Sequence, residues 1–257
     1  MDHNRFQNRA AIVTGGGSGI GRATASLLAT QGAQVAVVDI RTSTAEALAE
    51  ELRRKGASVI SIGCDVGSED DVKRVVGQVV SQWCKIDILV NNAASFVQKG
   101  VDATIDEWQA AWKTNVLGAA LCARHTYPVM REGKGGVIVN VASVSGMVGE
   151  PNYATYNSSK AALLMLTQCL AVDLGPYNIR VNAVSPGATV TPALRDAVKR
   201  EGISFEEFEK VMLEKQCLRR LCQPDDIARA IAFLASDEAS CITGANLVVD
   251  AGFMAKD

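Results

Sequence analysis

A tyrosine, a lysine and a serine stand at spacings that suit proton transfer. Tyr156 and Lys160 are four residues apart in a stretch with helical periodicity, so both side chains face one side of a helix. A free phenol loses its proton near pH ~10, but an ammonium ~4 Å away contributes up to about 4 kcal/mol at an effective dielectric of ~20. Lys160 is therefore expected to lower the pKa of Tyr156. Ser143, thirteen residues before the tyrosine, would hold the same substrate oxygen. The pair alone also fits a surface helix contact.

A glycine-rich segment near the N-terminus adds a second signal. The run Ala10–Thr14 is apolar and leads directly into Gly15-Gly16-Gly17-Ser18-Gly19-Ile20-Gly21, after which a helical pattern begins. Glycines allow a tight turn and a close approach of the backbone to a pyrophosphate, and a helix N-terminus offers unpaired N–H groups to the anion. A P-loop is excluded because no Gly-Lys-Ser/Thr ends the segment.

An aspartate closes the second predicted strand. Asp39 lies eighteen residues after Gly21, where a carboxylate accepts hydrogen bonds from the ribose hydroxyls and repels a 2′-phosphate. NAD(H) is therefore favoured over NADP(H), although Arg22 and Arg41 are nearby cations that suit a phosphate. Asp39 also fits an ordinary helix N-cap. Asp65, at the end of the third strand, is placed to contact the adenine edge.

Strand and helix patterns alternate along the chain, which predicts a mostly parallel sheet with helices on both faces. The predicted strands are Ala10–Thr14, Gln34–Asp39, Ser58–Cys64, Ile86–Asn91, Gly136–Ala142, Arg180–Val184 and Asn246–Val249. The predicted helices are Gly19–Thr30, Thr44–Lys55, Glu69–Trp83, Ile105–Met130, Ala154–Leu174 and Pro224–Ser236, with Ser68 as N-cap of the third. No linker interrupts the alternation, which indicates one domain over residues 1–257. The segment Thr189 to Cys222 breaks the rhythm and is predicted to be a substrate lid.

Composition excludes several function classes. The 257 residues carry a net charge of -2 with scattered cations, which argues against nucleic acid as a partner. No apolar run reaches the ~18 residues of a membrane span, and the polar start has no signal-peptide core, so we expect no membrane association and a cytoplasmic protein. The seven cysteines form no Cys-x-x-Cys pair and most have apolar neighbours, which favours small core residues over a metal site. Two histidines give little support to a Ser-His-Asp hydrolase.

Taken together, the order and spacing of these motifs resemble the short-chain dehydrogenase/reductase family across nearly the whole chain. The matching segments are the glycine loop, Asn91-Asn92-Ala93-Ala94, Asn115, Ser143, Tyr156-x-x-x-Lys160 and Pro186-Gly187. The resemblance implies a single-domain Rossmann-type, doubly wound sheet of seven strands and a homotetramer. One departure is Ala94, where the family commonly has glycine.

The resemblance also assigns roles to individual positions. The implied catalytic residues are Asn115, Ser143, Tyr156 and Lys160, with Asn115 as a helix-kinking residue in a proton relay to Lys160. Asn91 would steady the central sheet. The expected cofactor positions are Gly15, Gly17, Ser18, Gly19, Ile20, Gly21, Asp39, Ile40, Arg41, Asp65, Val66, Asn92, Ala93, Ala94, Tyr156, Lys160, Pro186, Gly187, Thr189 and Thr191.

The predicted activity is NAD(H)-dependent interconversion of a secondary alcohol and a ketone, with Tyr156 as general acid and base. Five polar residues favour a polyhydroxylated substrate such as a sugar, a polyol or a hydroxy acid: Ser95, Gln98, Ser145, Glu150 and Asn152. Phe96, Met147 and Tyr153 would suit a flatter and more apolar molecule. Two other interpretations remain open: a 3-oxoacyl-thioester reductase that uses NADPH, and a dinucleotide-binding regulator without turnover.

Overall fold

Seven strands and nine α-helices follow one another in the computed structural model, which describes residues 4–256. The strands are β1 Ala10–Thr14, β2 Gln34–Asp39, β3 Val59–Gly63, β4 Ile88–Asn91, β5 Gly136–Val141, β6 Ile179–Pro186 and β7 Asn246–Val249. The α-helices are α1 Gly19–Thr30, α2 Thr42–Arg54, α3 Glu69–Trp83, α4 Ile105–Trp112, α5 Ala119–Glu132, α6 Ala154–Leu174, α7 Pro192–Arg200, α8 Phe205–Lys215 and α9 Pro224–Ala235.

The strands form one parallel sheet in the order β3-β2-β1-β4-β5-β6-β7. Chain direction across the sheet reverses between β1 and β4, where a doubly wound sheet places its ligand crevice, outside the carboxyl ends of the strands. The predicted fold class is therefore confirmed.

Successive side chains of the inner strands enter two separate cores, one on each face of the sheet. Val35 and Val37 of β2 pack in the core under α1, α2 and α9, whereas Ala36 and Val38 pack in the core under α3, α5 and α6. All four side chains are buried. Because both faces are covered, β2 is apolar at four consecutive positions, Val35 to Val38, rather than at alternate positions.

The predicted helix Ile105–Met130 is wrong as a single element. The structure divides it into α4, a π-helical turn over Lys113–Gly118, and α5. Asn115 lies in the π-helical turn, the kind of local widening that occurs at functional sites. The remaining differences are shifts of one or two residues at element ends, as in β6, which runs on to Pro186.

The segment predicted as a lid folds into α7 and α8. Its two ends meet in a short parallel bridge, in which Val190 donates its N–H to the carbonyl of Cys222 at 2.9 Å. α7 begins at Pro192 with Thr191 as its N-cap, whose hydroxyl accepts from the N–H of Leu194 at 3.2 Å. The first turn of this segment is therefore anchored next to the carboxyl end of β6.

The cysteines are less buried than predicted. Cys64, Cys122 and Cys222 are core residues, but Cys84, Cys169, Cys217 and Cys241 are exposed, and all seven are free. Among residues 4–256, no helix has the length and apolar character that crossing a membrane requires.

Candidate active site

The carboxyl ends of β1 and β4 are held together by the side chain of Thr14. Its hydroxyl accepts from the N–H groups of Asn92 at 3.0 Å and Ala93 at 3.1 Å. Asn92 in turn donates its amide to the carbonyls of Thr14 at 2.9 Å and Gly15 at 3.1 Å. The segment after β4 is thereby fixed beside the glycine loop.

The glycine loop depends on backbone conformations and spaces that other residues do not tolerate. Gly15 and Gly19 have φ values of +61° and +51°, in the left-handed region. A Cβ on Gly19 would lie 3.2 Å from Cγ2 of Thr191, on the opposite wall. A Cβ on Gly21 would overlap the carbonyl oxygen of Gly15. The start of α1 therefore packs closely on the end of β1.

Asp39 is buried at the end of β2 with both carboxylate oxygens oriented. Oδ2 accepts from the N–H of Gly17 at 2.9 Å and Oδ1 from the N–H of Arg41 at 2.9 Å. The alternative role as N-cap of α2 is not observed, because the N-cap is Arg41. The two nearby cations are engaged elsewhere: Arg41 donates to Ser18 Oγ at 3.1 Å, and Arg22 forms an ion pair with Glu51.

A cavity of about 440 Å³ lies over these strand ends. Its walls include most of the predicted cofactor positions, namely Gly15, Ser18, Gly19, Ile20, Asp39, Ile40, Arg41, Asp65, Val66, Asn92, Ala93, Ala94 and Thr191. Gly17 and Gly21 are not in its walls: the first donates to Asp39 and the second packs against Gly15. We call this space the large cavity, to distinguish it from the smaller cavity beside Tyr156.

Asp65 forms one end of the large cavity. Its carboxylate accepts from Lys113 Nζ at 2.7 Å and from the N–H of Gly67 at 2.9 Å. The hydrogen bond from Lys113 lowers the pKa of Asp65 from its usual value. Asp65 is therefore an ionised acceptor at neutral pH, tied to the π-helical turn.

Tyr156 and Lys160 lie on the same face of α6, and both are buried. The ammonium nitrogen of Lys160 is 5.7 Å from the centre of the Tyr156 ring and donates to the carbonyl of Val141 at 2.8 Å. The ring of Phe96 also stacks on Tyr156, with centroids 5.5 Å apart. The phenol therefore occupies a fixed position between the lysine and the segment after β4.

Burial determines the titration of both groups. It raises the pKa of Tyr156 well above its usual value, and a hydrogen bond with Ser143 opposes that rise only in part. Burial also lowers the pKa of Lys160 to about 8. The predicted lowering of the Tyr156 pKa by Lys160 is therefore not observed, because desolvation of the phenolate is the largest effect on this group.

Asn115 connects three segments around Tyr156. Its Oδ1 accepts from the N–H of Ser95 at 2.7 Å, and its Nδ2 donates to the Ser95 carbonyl at 3.0 Å and to Ser159 Oγ at 2.9 Å. Ser159 then donates its hydroxyl to the carbonyl of Tyr156 at 2.7 Å. The Asn115 side chain thus braces the segment after β4 against α6.

A second cavity of about 150 Å³, the small cavity, adjoins the large one. The two share wall residues such as Ile20, Asn92 and Thr191. The predicted residues that line the small cavity but not the large one are Ser143, Tyr156, Lys160, Pro186, Gly187, Thr189 and Gln98. Ser143, Tyr156 and Lys160 therefore lie in the small cavity, which shares Thr191 with the large one.

The five polar residues predicted to contact substrate are dispersed. Gln98 lines the small cavity, Ser95 the large one, and Asn152 a third, outer cavity of about 690 Å³. Ser145 and Glu150 line none of the three: Ser145 donates its N–H to Ser143 Oγ at 3.1 Å, and Glu150 accepts from Asn157 at 3.2 Å.

Residues not selected from the sequence complete the small cavity. Ala193, Leu194 and Ala197 line it from α7, together with Ala188 from the end of β6. Their positions along α7 differ by one, three and four residues, so they share one helix face. The spacing of these three apolar residues within the predicted lid is the sequence signal that could have identified them as cavity residues.

Comparison with known proteins gives consistent results. A family model described as enoyl-(acyl carrier protein) reductase matches residues 15–254. A cyclopentanol dehydrogenase from Comamonas sp. strain NCIMB 9872 is 36% identical over 98% of this chain and 99% of its own. A cis-4-hydroxycyclohexanecarboxylate dehydrogenase from Sinomonas cyclohexanicum is 38% identical over 97% of this chain and 98% of its own.

One solved structure extends the similarity to three dimensions. It is a 7α-hydroxysteroid dehydrogenase in complex with NADH and 7-oxo glycochenodeoxycholic acid. It superposes with a TM-score of 0.92 at 37% identity, covering 98% of this chain and 96% of that one.

Proposed function

Because the chain belongs to the short-chain dehydrogenase/reductase family, we propose that it interconverts a cyclic secondary alcohol and the corresponding ketone with NAD(H). It is an oxidoreductase of alcohol groups, like the dehydrogenases to which it is 36% and 38% identical. The observation that carries the proposal is the buried phenol of Tyr156 in the wall of the small cavity, with Ser143 and Lys160 beside it. A regulator without turnover would not need this arrangement.

Tyr156 moves the proton in this proposal. In the direction of ketone reduction, its phenol donates a proton to the carbonyl oxygen as the alcohol forms. In the direction of oxidation, its phenolate accepts the proton of the alcohol. The raised pKa of Tyr156 favours the protonated form at neutral pH, so the phenol is ready to act as the acid.

The neighbouring side chains support that step. Ser143 hydrogen-bonds the same substrate oxygen and so fixes the reacting carbon relative to Tyr156. Lys160 stabilises the phenolate through its charge and, with its remaining N–H groups, holds the ribose next to the nicotinamide. Asn115 acts as a positioning residue, since it braces the segments on which Ser95 and Tyr156 lie.

The large cavity suits a dinucleotide. The glycines leave a backbone surface without Cβ atoms at the start of α1, where N–H groups face an anion. NAD(H), when bound, would supply or accept the hydride at the carbon that bears the oxygen. We propose NAD(H) over NADP(H), because the buried carboxylate of Asp39 would meet a 2′-phosphate and because Arg22 is paired with Glu51.

The walls of the small cavity favour an alicyclic substrate. Apart from the catalytic groups, they consist largely of alanine, proline, leucine and phenylalanine side chains, and Gln98 is the one predicted polar contact among them. We therefore prefer a ring alcohol to the sugar or polyol favoured by the sequence. The relatives named for cyclopentanol and hydroxycyclohexanecarboxylate support this choice.

The test is a substrate and cofactor screen of the purified protein, read as formation of the reduced nicotinamide. Cyclopentanol, cyclohexanol and a 7α-hydroxysteroid would represent ring alcohols, sorbitol a polyol, and a 3-hydroxyacyl thioester the reductase interpretation. We expect ring alcohols with NAD⁺ to give the highest kcat/KM. Highest activity on the thioester with NADP⁺ would replace the proposal by the 3-oxoacyl-thioester reductase.

Two further properties are part of the proposal. We propose that the protein acts in the cytoplasm. We also propose that the segment from Thr189 to Cys222 acts as the substrate lid, because α7 forms one wall of the small cavity.

A further inference from the structure

The outer cavity is a continuation of the small one. Phe96, Gln98 and Ala197 line both spaces, so a molecule whose reacting carbon lies at Tyr156 can extend past them. The outer cavity holds about 690 Å³, compared with about 150 Å³ for the small one. A ring alcohol with no substituent would leave most of this space to solvent.

Some polar side chains of the outer cavity have hydrogen-bond or ion-pair partners within the protein, and others have none among residues 4–256. Its two carboxylates are engaged: Glu107 accepts from the N–H of Thr104 at 2.9 Å and pairs with Lys99 at 3.4 Å, and Glu201 accepts from the Tyr153 hydroxyl at 3.3 Å.

Three donor side chains in the same walls are not engaged. Arg200, Asn152 and Gln98 make no side-chain hydrogen bond or ion pair to any residue between 4 and 256. Arg200 ends α7, Asn152 precedes α6 and Gln98 follows β4, so the three donors come from separate elements around one space.

We propose that the outer cavity binds a carboxylate carried by the substrate, with Arg200 as the residue that selects it. This inference rests on the proposed function and makes it more specific: the substrate is a ring alcohol with an acidic side chain. An arginine offers a planar set of N–H donors that matches a carboxylate, and the two amides can add hydrogen bonds. Lys99 is paired with Glu107, so Arg200 is the cation of these walls that has no ion-pair partner among residues 4–256.

The apolar walls fix where the rest of the molecule lies. Phe96 stacks on Tyr156, is 43% exposed and lines both cavities, so a molecule that reaches from Tyr156 into the outer cavity passes Phe96. Pro151 and Tyr153 continue this apolar surface toward Arg200. The carbon skeleton therefore bridges the two cavities, with the alcohol at one end and the acid at the other.

The test compares cyclohexanols that carry a 4-carboxyalkyl chain of increasing length with their primary amides, which have a similar shape and no charge. For the best chain length, we expect kcat/KM of the acid to exceed that of the amide about fivefold to tenfold, as a charge-assisted hydrogen bond at a partly exposed site would give. Arg200→Gln should reduce this ratio to about one, and Arg200→Lys should retain part of it.

Lys199→Gln is the matched control, since Lys199 is the preceding exposed cation of α7 and does not line the cavity. It should keep the preference for the acid. A wild-type enzyme that oxidises acids and amides equally, or an Arg200→Gln variant that keeps the preference, would overturn the inference and leave the proposed function intact.

A binding measurement separates the two proposals if no alcohol is oxidised. Calorimetry with 3-cyclohexylpropanoate, which has no alcohol, and with 3-cyclohexylpropanamide needs no turnover. Tighter binding of the acid that is lost in Arg200→Gln and kept in Lys199→Gln would support the carboxylate site even if the proposed reaction fails. Equal binding of the acid by all three proteins would reject it.

Discussion

At Tyr156, two physical effects oppose each other. A hydrogen bond with Ser143 favours the phenolate, whereas removal from water disfavours it, and the second effect is larger. Lys160 is itself buried beside Val141, so its charge is also costly. Tyr156 is best described as an acid that is protonated at rest. Lys160 is the cation that stabilises the phenolate formed when the proton leaves.

Replacing Tyr156 with phenylalanine tests the proton transfer directly. The ring and its stacking on Phe96 remain, but the hydroxyl is lost. General acid–base catalysis contributes roughly 10²–10⁴-fold, so kcat should fall by that factor while the melting temperature changes little. Steady-state oxidation of the best ring alcohol gives the measurement. Tyr177→Phe, which follows α6 and lines none of the three cavities, is the control; a Tyr156→Phe enzyme with near-normal kcat would contradict the assignment.

The pH dependence of ketone reduction should follow Lys160. Its lowered pKa of about 8 means that the ammonium is present below that pH and is lost above it. The raised pKa of Tyr156 keeps the phenol protonated through the same range. Reduction should therefore be nearly constant below about pH 8 and decline above it, because the uncharged amine no longer stabilises the phenolate.

Rates of NADH consumption at saturating ketone, measured across this range, provide the check. Lys160→Met should show a low rate without the decline. A wild-type rate that continues unchanged well above pH 8 would show that Lys160 does not control the reaction.

The cofactor preference should depend on the charge of Asp39. Asp39→Asn keeps the size of the side chain and one carbonyl acceptor for Gly17 or Arg41, but it removes the repulsion of a 2′-phosphate. We expect the ratio of kcat/KM for NADP⁺ to that for NAD⁺ to rise on the order of tenfold, as expected for a partly screened pair of charges. Asp65→Asn removes a neighbouring carboxylate of the same cavity, one that is already paired with Lys113, and should leave the ratio nearly unchanged. An equal rise of this ratio in Asp39→Asn and Asp65→Asn would argue that Asp39 does not set the cofactor preference.

At the scale of elements, the site is built from strand ends and the helix starts that pack on them. Thr14 and Asn92 join β1 to the segment after β4, and Gly21 lets α1 approach the end of β1. The packing requires a missing Cβ at Gly21, whereas Gly77 in the exposed face of α3 has open space around it.

Alanine substitutions at these two glycines should change the free energy of unfolding in opposite directions. Gly21→Ala places a methyl group against the carbonyl oxygen of Gly15, so it should lower the free energy of unfolding and weaken NAD⁺ binding at least tenfold, a cost above ~1.4 kcal/mol. Gly77→Ala should raise the free energy of unfolding by about 0.5–1 kcal/mol, because alanine favours a helix interior. Urea unfolding and NAD⁺ titration measure both effects. Normal NAD⁺ affinity in Gly21→Ala would contradict the close packing of the loop.

The π-helical turn between α4 and α5 was not predicted, although Asn115 within it was. Apolar periodicity continues from Ile105 to Met130, and local periodicity cannot reveal one extra residue in a turn. The turn is held from outside by the hydrogen bonds of Asn115 to Ser95 and Ser159. The π-helical turn therefore depends on tertiary contacts rather than on local sequence periodicity.

At the scale of the whole molecule, exposed apolar residues remain on neighbouring helices. Ile105 on α4 is 74% exposed, Leu117 on the π-helical turn 50% and Val172 on α6 76%. α6 packs against both α4 and that turn, so these side chains belong to adjoining surfaces. We propose that copies of the chain cover them in the predicted homotetramer.

Light scattering of the wild-type protein should give the mass of four chains. Val172→Lys should reduce the mass to that of a smaller assembly, because a charge would be buried between subunits. Val211→Lys, at a 52% exposed position of α8, is the control and should remain tetrameric. A wild-type monomer would reject the proposal.

Spacing along the chain was sufficient to predict the sheet, the glycine loop, Asp39 and the shared face of Tyr156 and Lys160. Each depends on local periodicity or on the rule that parallel strands end at one edge, and both are visible in sequence. The walls of the small and outer cavities were not predictable in this way, because α7 brings Leu194, Ala197 and Arg200 next to Phe96, about a hundred positions earlier in the chain. The titration of Tyr156 and Lys160 also required the fold, since desolvation depends on everything packed around a group and has no signature in the order of residues.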